Sequence, residues 1–103
     1  MKDDANASTV LELESDLIAL DPETLKQTLL ASLVPGRSVL LVAANVARVG
    51  TAALQLLLAF LREADQKGLE VDLRDSSRAL RDAVVTAGLD RDAMFARALA
   101  PLT

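Results

Sequence analysis

Three short segments of the chain carry the hydrophobic pattern of β-strands. Residues 9–14 alternate between apolar and acidic side chains, which predicts a strand with one face in solvent. Residues 38–43 form a short, continuous apolar run rich in β-branched side chains, which predicts a central, buried strand. Residues 69–73 alternate again, so we expect a third strand that is wet on one face.

Helical periodicity follows each of the first two strands. The first predicted helix covers residues 22–34, with Asp21 as its N-cap and a proline at the first helical position. The second covers residues 52–67, with Thr51 as the predicted N-cap and Gly68 as the residue that ends it.

Two further helices are predicted after the third strand. The Asp-Ser-Ser cluster at residues 75–77 caps the first of them, which Gly88 ends, and Asp90 begins a last short helix. The order strand, helix, strand, helix, strand, helix, helix predicts one α/β domain in which helices pack against a single sheet. We expect a polar tail at residues 1–8 and the domain at residues 9–103.

Composition removes most catalytic chemistry. The 103 residues include no His, Cys, Trp or Tyr, so Ser/His pairs, Cys/His pairs and the usual zinc sites are excluded. The acidic pairs Glu12/Glu14 and Glu70/Asp72 are typical of solvated strand faces, and we favour that interpretation over a metal site. The composition therefore excludes most hydrolase and redox chemistry, leaves carboxylates, lysines and hydroxyls as candidate groups, and lets us expect no metal and no cofactor.

The net charge of the chain and the length of its apolar runs limit the kinds of partner that it can bind. Fifteen acidic against eleven basic residues give a net charge of −4, and without aromatic stacking platforms we expect no nucleic-acid binding. The longest apolar stretches, residues 39–44 and 52–61, are shorter than the ~20 residues of a membrane span. The polar, acidic N-terminus does not resemble a signal peptide, so we expect a cytoplasmic protein without direct membrane insertion.

The loop at residues 45–50 and Thr51 form the most informative segment. Unpaired backbone N–H groups and the positive dipole at a helix start can hold a carboxylate, a phosphate or a phosphorylated hydroxyl. Thr51 is also an ordinary N-cap residue, and its residue type alone favours that role. Arg48 could neutralise an anion there or simply be solvated, and with Gly50 alone a nucleotide loop is not indicated.

The second predicted helix is apolar on two sides. Ala53, Leu56 and Phe60 lie roughly opposite the face that carries Leu54, Leu57, Leu58 and Leu61. Such a helix is either enclosed inside the protein or presents one side to a partner or a second copy, and the sequence favours neither alternative.

The chain resembles a known family from residue 38 to about residue 92. Residues 38–59 look like the central strand, loop and helix of STAS domains, the anti-sigma factor antagonist family, and the likeness continues through residues 69–73 and 76–89. The resemblance implies a single mixed β-sheet covered by helices. It also implies that the chain is not an enzyme but a regulatory binding module, which docks onto an ATP-dependent serine/threonine kinase and is released when a hydroxyl at the start of the second helix is phosphorylated.

The likeness has departures that change the expected site. Where sporulation-type members have Asp-Ser-Ser, with the phosphate on the second serine, this chain has Gly50, Thr51 and Ala52. An aspartate common at the end of the central strand is replaced by Val42. The sequence of residues 49–55 is similar to small stand-alone STAS proteins of bacterial chemotaxis gene clusters. The predicted partner is an anti-sigma or chemosensory-type kinase.

A threonine at the position of Thr51 is also seen in STAS subunits of bacterial phospholipid-transport ATPases, so the alternative function is a cytoplasmic subunit of a membrane transport ATPase. Small-ligand sensing at the helix start is a third, less favoured hypothesis. In the leading interpretation Thr51 is the candidate phosphoacceptor. The predicted partner-binding residues are Asn45, Val46, Arg48, Val49, Gly50, Ala52, Ala53, Leu56 and Phe60.

Overall fold

The computed structural model of the chain describes residues 8–99 and confirms an α/β fold with helices packed against one sheet. Three strands alternate with helices, and two shorter helical elements end the described part of the chain. In chain order the elements are β1 (Ser8–Glu12), α1 (Pro22–Ala31), β2 (Ser38–Val42), α2 (Thr51–Gln66), β3 (Val71–Arg74), α3 (Arg78–Thr86), a 3₁₀ turn (Leu89–Arg91) and α4 (Ala93–Leu99).

The sheet has the order β1-β2-β3, and both strand pairs are parallel. In its register Val10, Leu40 and Asp72 lie side by side. The described strands therefore differ from the mixed sheet that the resemblance implied. The reason is connectivity, because a helix separates each strand from the next and such a crossover returns the chain in the same direction.

The central position of β2 agrees with its sequence pattern. Val39 and Leu41 of β2 are fully buried, and they join Leu73 of β3 in the core that the helices cover. On the opposite face Glu12 and Asp72 are exposed, as expected for a strand face in solvent, and the apolar Val10 is exposed with them. The predicted tail lies outside the described residues except for Ser8, which begins β1, so the domain boundary stays a prediction.

Helix α1 begins where the sequence predicted and ends three residues earlier. The carboxylate of Asp21 accepts a hydrogen bond from the backbone N–H of Thr24 at 3.1 Å, as an N-cap does. The hydroxyl of Ser32 donates to the carbonyl of Leu29 at 2.6 Å, and the Ser32 backbone N–H bonds the same carbonyl. These i to i−3 bonds tighten the last turn, which explains the end at Ala31.

The later helices also keep their predicted order. Ser77 caps α3 by accepting a hydrogen bond from the Leu80 N–H at 3.1 Å, and Gly88 follows α3 with a left-handed φ of 76°. The predicted helix from Asp90 is divided into the 3₁₀ turn and α4, because Asp92 adopts an extended conformation between them. Within residues 8–99, no helix combines the length and the apolar character that crossing a bilayer requires.

Candidate functional site

The candidate site lies at the carboxyl ends of the parallel strands, where β2 leads through a loop into α2. In open α/β sheets this edge is the usual location of binding sites, because the loops that leave the strands meet there. Asn45, Arg48, Thr51 and Ala52 are all exposed to solvent at this edge. The segment can therefore be reached by a partner.

Hydrogen bonds to the segment between β1 and α1 hold the loop in place. The Leu17 N–H donates to the carbonyl of Arg48 at 2.9 Å, and the N–H of Ala47 donates to the carbonyl of Ser15 at 2.8 Å. Asp16 and Arg48 form a short parallel bridge, and their side chains form an ion pair at 3.5 Å. The loop is thus tied to the fold by its backbone, and Arg48 belongs to that connection.

Asp16 is the anchor that the sequence interpretation missed. Its carboxylate accepts hydrogen bonds from the backbone N–H groups of Ile18 and Ala19, each at 3.0 Å. The Ala19 N–H is the main cause of a lowered pKa at Asp16; the Ile18 N–H and the Arg48 charge add to it, while desolvation opposes it. An aspartate favours such a turn, but the residues that follow it, Leu-Ile-Ala-Leu, include none of the Gly, Pro or Asn that mark a turn in a sequence.

We predict that Asp16 makes stability pH-dependent in acid. A carboxyl whose pKa is lower in the folded than in the unfolded chain stabilises the fold above its ordinary value of 3.8. That contribution falls as the pH drops through the folded value. Asp16→Asn keeps an acceptor for the turn and removes the charge, so its Tm should lie below wild type at pH 7, and the gap should narrow as the pH falls below 3.8. A series of thermal melts from pH 7 downwards measures this, and a gap of constant size across the series would contradict it.

The structure corrects the capping role predicted for Thr51. Gly50 is the N-cap of α2, with φ −105° and ψ 173°, and no side chain caps this helix start. Thr51 is the first helical residue, and its side chain is exposed. The sequence placed the cap one residue too late, because Thr is a common cap and Gly50 was taken as the end of the loop. The Thr51 hydroxyl is therefore not committed to capping α2.

The predicted partner-binding residues divide into three groups. Asn45, Arg48 and Ala52 are exposed with Thr51, and Val49, Gly50 and Leu56 are half-buried. Val46, Ala53 and Phe60 belong to the core, with 2%, 3% and 2% of their surface exposed.

A surface role for these three core residues is therefore wrong for this fold. Ala53 and Phe60 are covered because α1 packs against α2 on the side that the sequence left unassigned. That contact decides between the two alternatives for α2 in favour of enclosure, with Leu56 at its margin.

A small apolar cleft of about 190 Å³ adjoins the exposed start of α2. Ile18, which is 52% exposed, lines it together with Pro22, Thr51 and Leu56. Ile18 also lies over the loop, since a Cβ added at Gly50 would meet its side chain at 3.4 Å. Sequence reasoning missed Ile18 because residues 15–20 have no helical or strand periodicity.

The acidic pairs weighed as metal ligands are exposed: Glu12 and Asp72 lie in strands, Glu14 follows β1 and Glu70 precedes β3. Asn45 donates a hydrogen bond to Glu12 at 3.4 Å, which joins the loop to the end of β1. Over residues 8–99 there is no group of three or more acidic side chains arranged to hold a metal ion. The chemistry at this edge is thus that of an exposed hydroxyl, an ion-paired arginine and an apolar cleft.

The fold is a small α/β domain with a parallel sheet and an exposed hydroxyl at the start of its second helix. Comparison with protein families shows which class of α/β domain it is: the family model described as "Mlab, STAS domain" matches residues 1–100. The chain belongs to this family of STAS domains. STAS domains are generally non-catalytic modules that bind protein partners. A search of curated proteins finds no match.

Proposed function

We propose that the chain is a non-enzymatic regulatory module that docks a protein partner through an α2 docking surface. This surface consists of Ile18, Asn45, Arg48, Thr51 and Ala52. The observation that carries the proposal is the position of Thr51, exposed at the first turn of α2 with no role in capping the helix. An anti-sigma or chemosensory-type kinase in the cytoplasm is the partner that the resemblance favours.

Phosphorylation of Thr51 would switch this surface. A phosphate there adds nearly two negative charges beside the positive end of the helix dipole, so the fold itself tolerates it. A partner seated on Ile18 and the adjoining cleft would instead meet a new, strongly hydrated dianion at its interface. The module would therefore bind when Thr51 is unmodified and release its partner when it is phosphorylated.

A second candidate is a subunit of a membrane transport ATPase, bound on the cytoplasmic side. The threonine at position 51, rather than the usual serine pair, supports it. In this function Thr51 would be a contact hydroxyl in a permanent interface. That interface would have to use the exposed α2 docking surface, because Ala53 and Phe60 are in the core.

A steric block tests docking without any assumption about phosphorylation. Ala52→Trp places a large ring on the exposed second residue of α2, so a partner seated there should be captured from a native lysate at least tenfold less efficiently than by wild type. Thr28→Trp is the matched control, because Thr28 is exposed on α1, away from the start of α2. Circular dichroism verifies that both variants fold.

The result decides between surfaces and between partners. If Ala52→Trp captures the same proteins as wild type at the same efficiency, the α2 docking surface is wrong. A partner lost by Ala52→Trp and found in the soluble fraction with a kinase domain favours the signalling module. One that sediments with membranes, contains an ATPase and withstands high salt favours the transport subunit.

A further inference from the structure

A second binding surface lies towards the other end of α2, along the free edge of β3. A groove of about 390 Å³ runs between this edge and α4. The chain from Gly68 to Asp72 forms one wall, and the half-buried Met94 contributes an apolar side chain in front of the core residues Leu61 and Ala98. We call it the β3-edge groove. Neither the α2 docking surface nor the function proposed above involves it.

The backbone of β3 offers unused hydrogen-bonding groups to this groove. Val39 N–H donates to the carbonyl of Glu70 at 2.8 Å, and Ala43 N–H donates to that of Arg74 at 3.1 Å. In a parallel pair alternate residues face the neighbouring strand, so Val71 and Leu73 direct their backbone groups away from β2. In the described sheet no strand lies on that side of β3.

The edge therefore presents the Val71 N–H, the Val71 carbonyl and the Leu73 N–H, while the Leu73 carbonyl accepts a 3.5 Å bond from the Ser76 hydroxyl. Exposed edges of this kind add a strand from another chain unless something covers or interrupts them.

Charge on the groove selects the incoming strand. Glu70, Asp72 and Arg74 are exposed at alternate positions, so two carboxylates and then one guanidinium follow each other along one face of the strand. Asp65 at the rim is already paired with Arg97 at 3.0 Å. Two acidic side chains at a strand spacing are complementary to two basic side chains at the same spacing on a neighbouring strand.

We propose that the β3-edge groove binds an extended segment of a protein partner, which pairs with β3 as a fourth strand. Its Lys or Arg residues at alternate positions would meet Glu70 and Asp72, and the apolar residue between them would face the half-buried Val71 and Met94. The backbone pairing provides affinity and the alternating side chains provide specificity, as in other strand-addition complexes.

A second copy of the chain fits this edge less well. Helix α4 contacts both β3 and α2 and lines the groove below the edge. Two copies joined through their β3 edges would bring two acidic pairs, Glu70 and Asp72 of each copy, onto adjacent strands, where like charges repel. A basic extended strand has no such repulsion.

The position of the groove gives the module two binding surfaces on one helix. Thr51 and Leu61 are ten residues apart on α2, which is about 15 Å at 1.5 Å per residue. A basic strand could thus stay bound while the α2 docking surface is open or occupied. Ala52→Trp should accordingly leave strand binding unchanged, which separates this proposal from the function proposed above.

The direct test uses a fluorescent, end-capped heptapeptide in which lysine and valine alternate. We expect it to bind the full chain with a Kd of about 10–100 µM, and a glutamate-for-lysine version to bind at least tenfold more weakly. N-methylating either all valines or all lysines removes alternate N–H groups. Methylation of one residue type should abolish binding and methylation of the other should not, because the N–H groups of only one residue type face β3. Equal effects of the two sets, or no binding at all, would overturn strand addition.

Two variants locate the site on the chain. Val71→Pro removes the edge-facing N–H without touching the β2 ladder, so peptide affinity should fall more than tenfold while the circular dichroism spectrum is kept. The double variant Glu70→Lys with Asp72→Lys should bind the glutamate peptide more tightly than the lysine peptide. If Val71→Pro does not fold, this double variant alone tests whether the peptide binds at the β3 edge. Glu12→Lys with Glu14→Lys is the matched control near β1 and should retain the lysine preference.

Sedimentation of the free chain checks the competing occupant. A monomer that binds the lysine peptide supports the proposal. A wild-type dimer that dissociates in Val71→Pro would show that a second copy occupies the edge, and would overturn it.

Discussion

Replacing Phe60 by alanine is expected to lower the free energy of unfolding by about 3–5 kcal/mol. The ring is 2% exposed, and α1 covers the side of α2 from which it projects. Removing it deletes a large apolar surface and leaves a cavity that neighbouring side chains fill only in part. Since domains of this size are stable by about 5–15 kcal/mol, the variant would lose a large part of its stability.

Urea unfolding followed by circular dichroism measures this loss. Val85→Ala is the matched control, because Val85 is 59% exposed and truncating it should change stability by less than about 0.5 kcal/mol. At a low temperature, where Phe60→Ala is still folded, it should capture the same partners as wild type. A variant as stable as wild type that nevertheless fails to capture them would show that Phe60 is a contact residue after all.

Phe60 also marks the limit of what the sequence could decide. The spacing of Ala53, Leu56 and Phe60 identified a second apolar side of α2 correctly. Whether that side is enclosed depends on where another helix packs, and no local pattern contains that information. The short connection through β2 and the apolar residues Leu25 and Leu29 of α1 place that helix against it.

The strands were easier to predict than the site, and for a physical reason. A strand that is buried or half-buried must repeat its apolar side chains with a fixed period, so the patterns of β1, β2 and β3 were visible in the sequence. The direction of pairing has no such period. The parallel sheet follows from the crossovers and not from the side chains of any single strand.

The role of Thr51 depends on the residue at which α2 begins, and the prediction was one residue off. Threonine is a common N-cap residue type, yet the N-cap position is defined by backbone angles, and Gly50 is the residue that adopts them. The correction frees the Thr51 hydroxyl from a structural role. It also makes the threonine a better test of function, because its substitution no longer removes a cap.

Thr51→Glu is expected to separate stability from binding. A carboxylate in the first turn interacts favourably with the helix dipole, so the variant should be as stable as wild type or more stable by about 0.3–1 kcal/mol. The same charge at the centre of the α2 docking surface should weaken partner binding ten- to a hundredfold, which corresponds to about 1.4–2.7 kcal/mol. Thermal melts and titration calorimetry with the captured partner measure the two quantities.

The companion variants assign the cause of that loss. Thr51→Ser keeps the hydroxyl and should bind like wild type, while Thr51→Ala removes it without adding charge and should lose less than threefold if the threonine acts as a switch. Thr28→Glu adds the same charge on exposed α1 and should not affect binding. A loss with Thr51→Ala as large as with Thr51→Glu would identify the hydroxyl as a permanent contact, as the transport-subunit function requires. If Thr51→Glu binds the partner as tightly as wild type does, Thr51 is not a phosphorylation switch. The α2 docking surface would then be tested by Ala52→Trp alone.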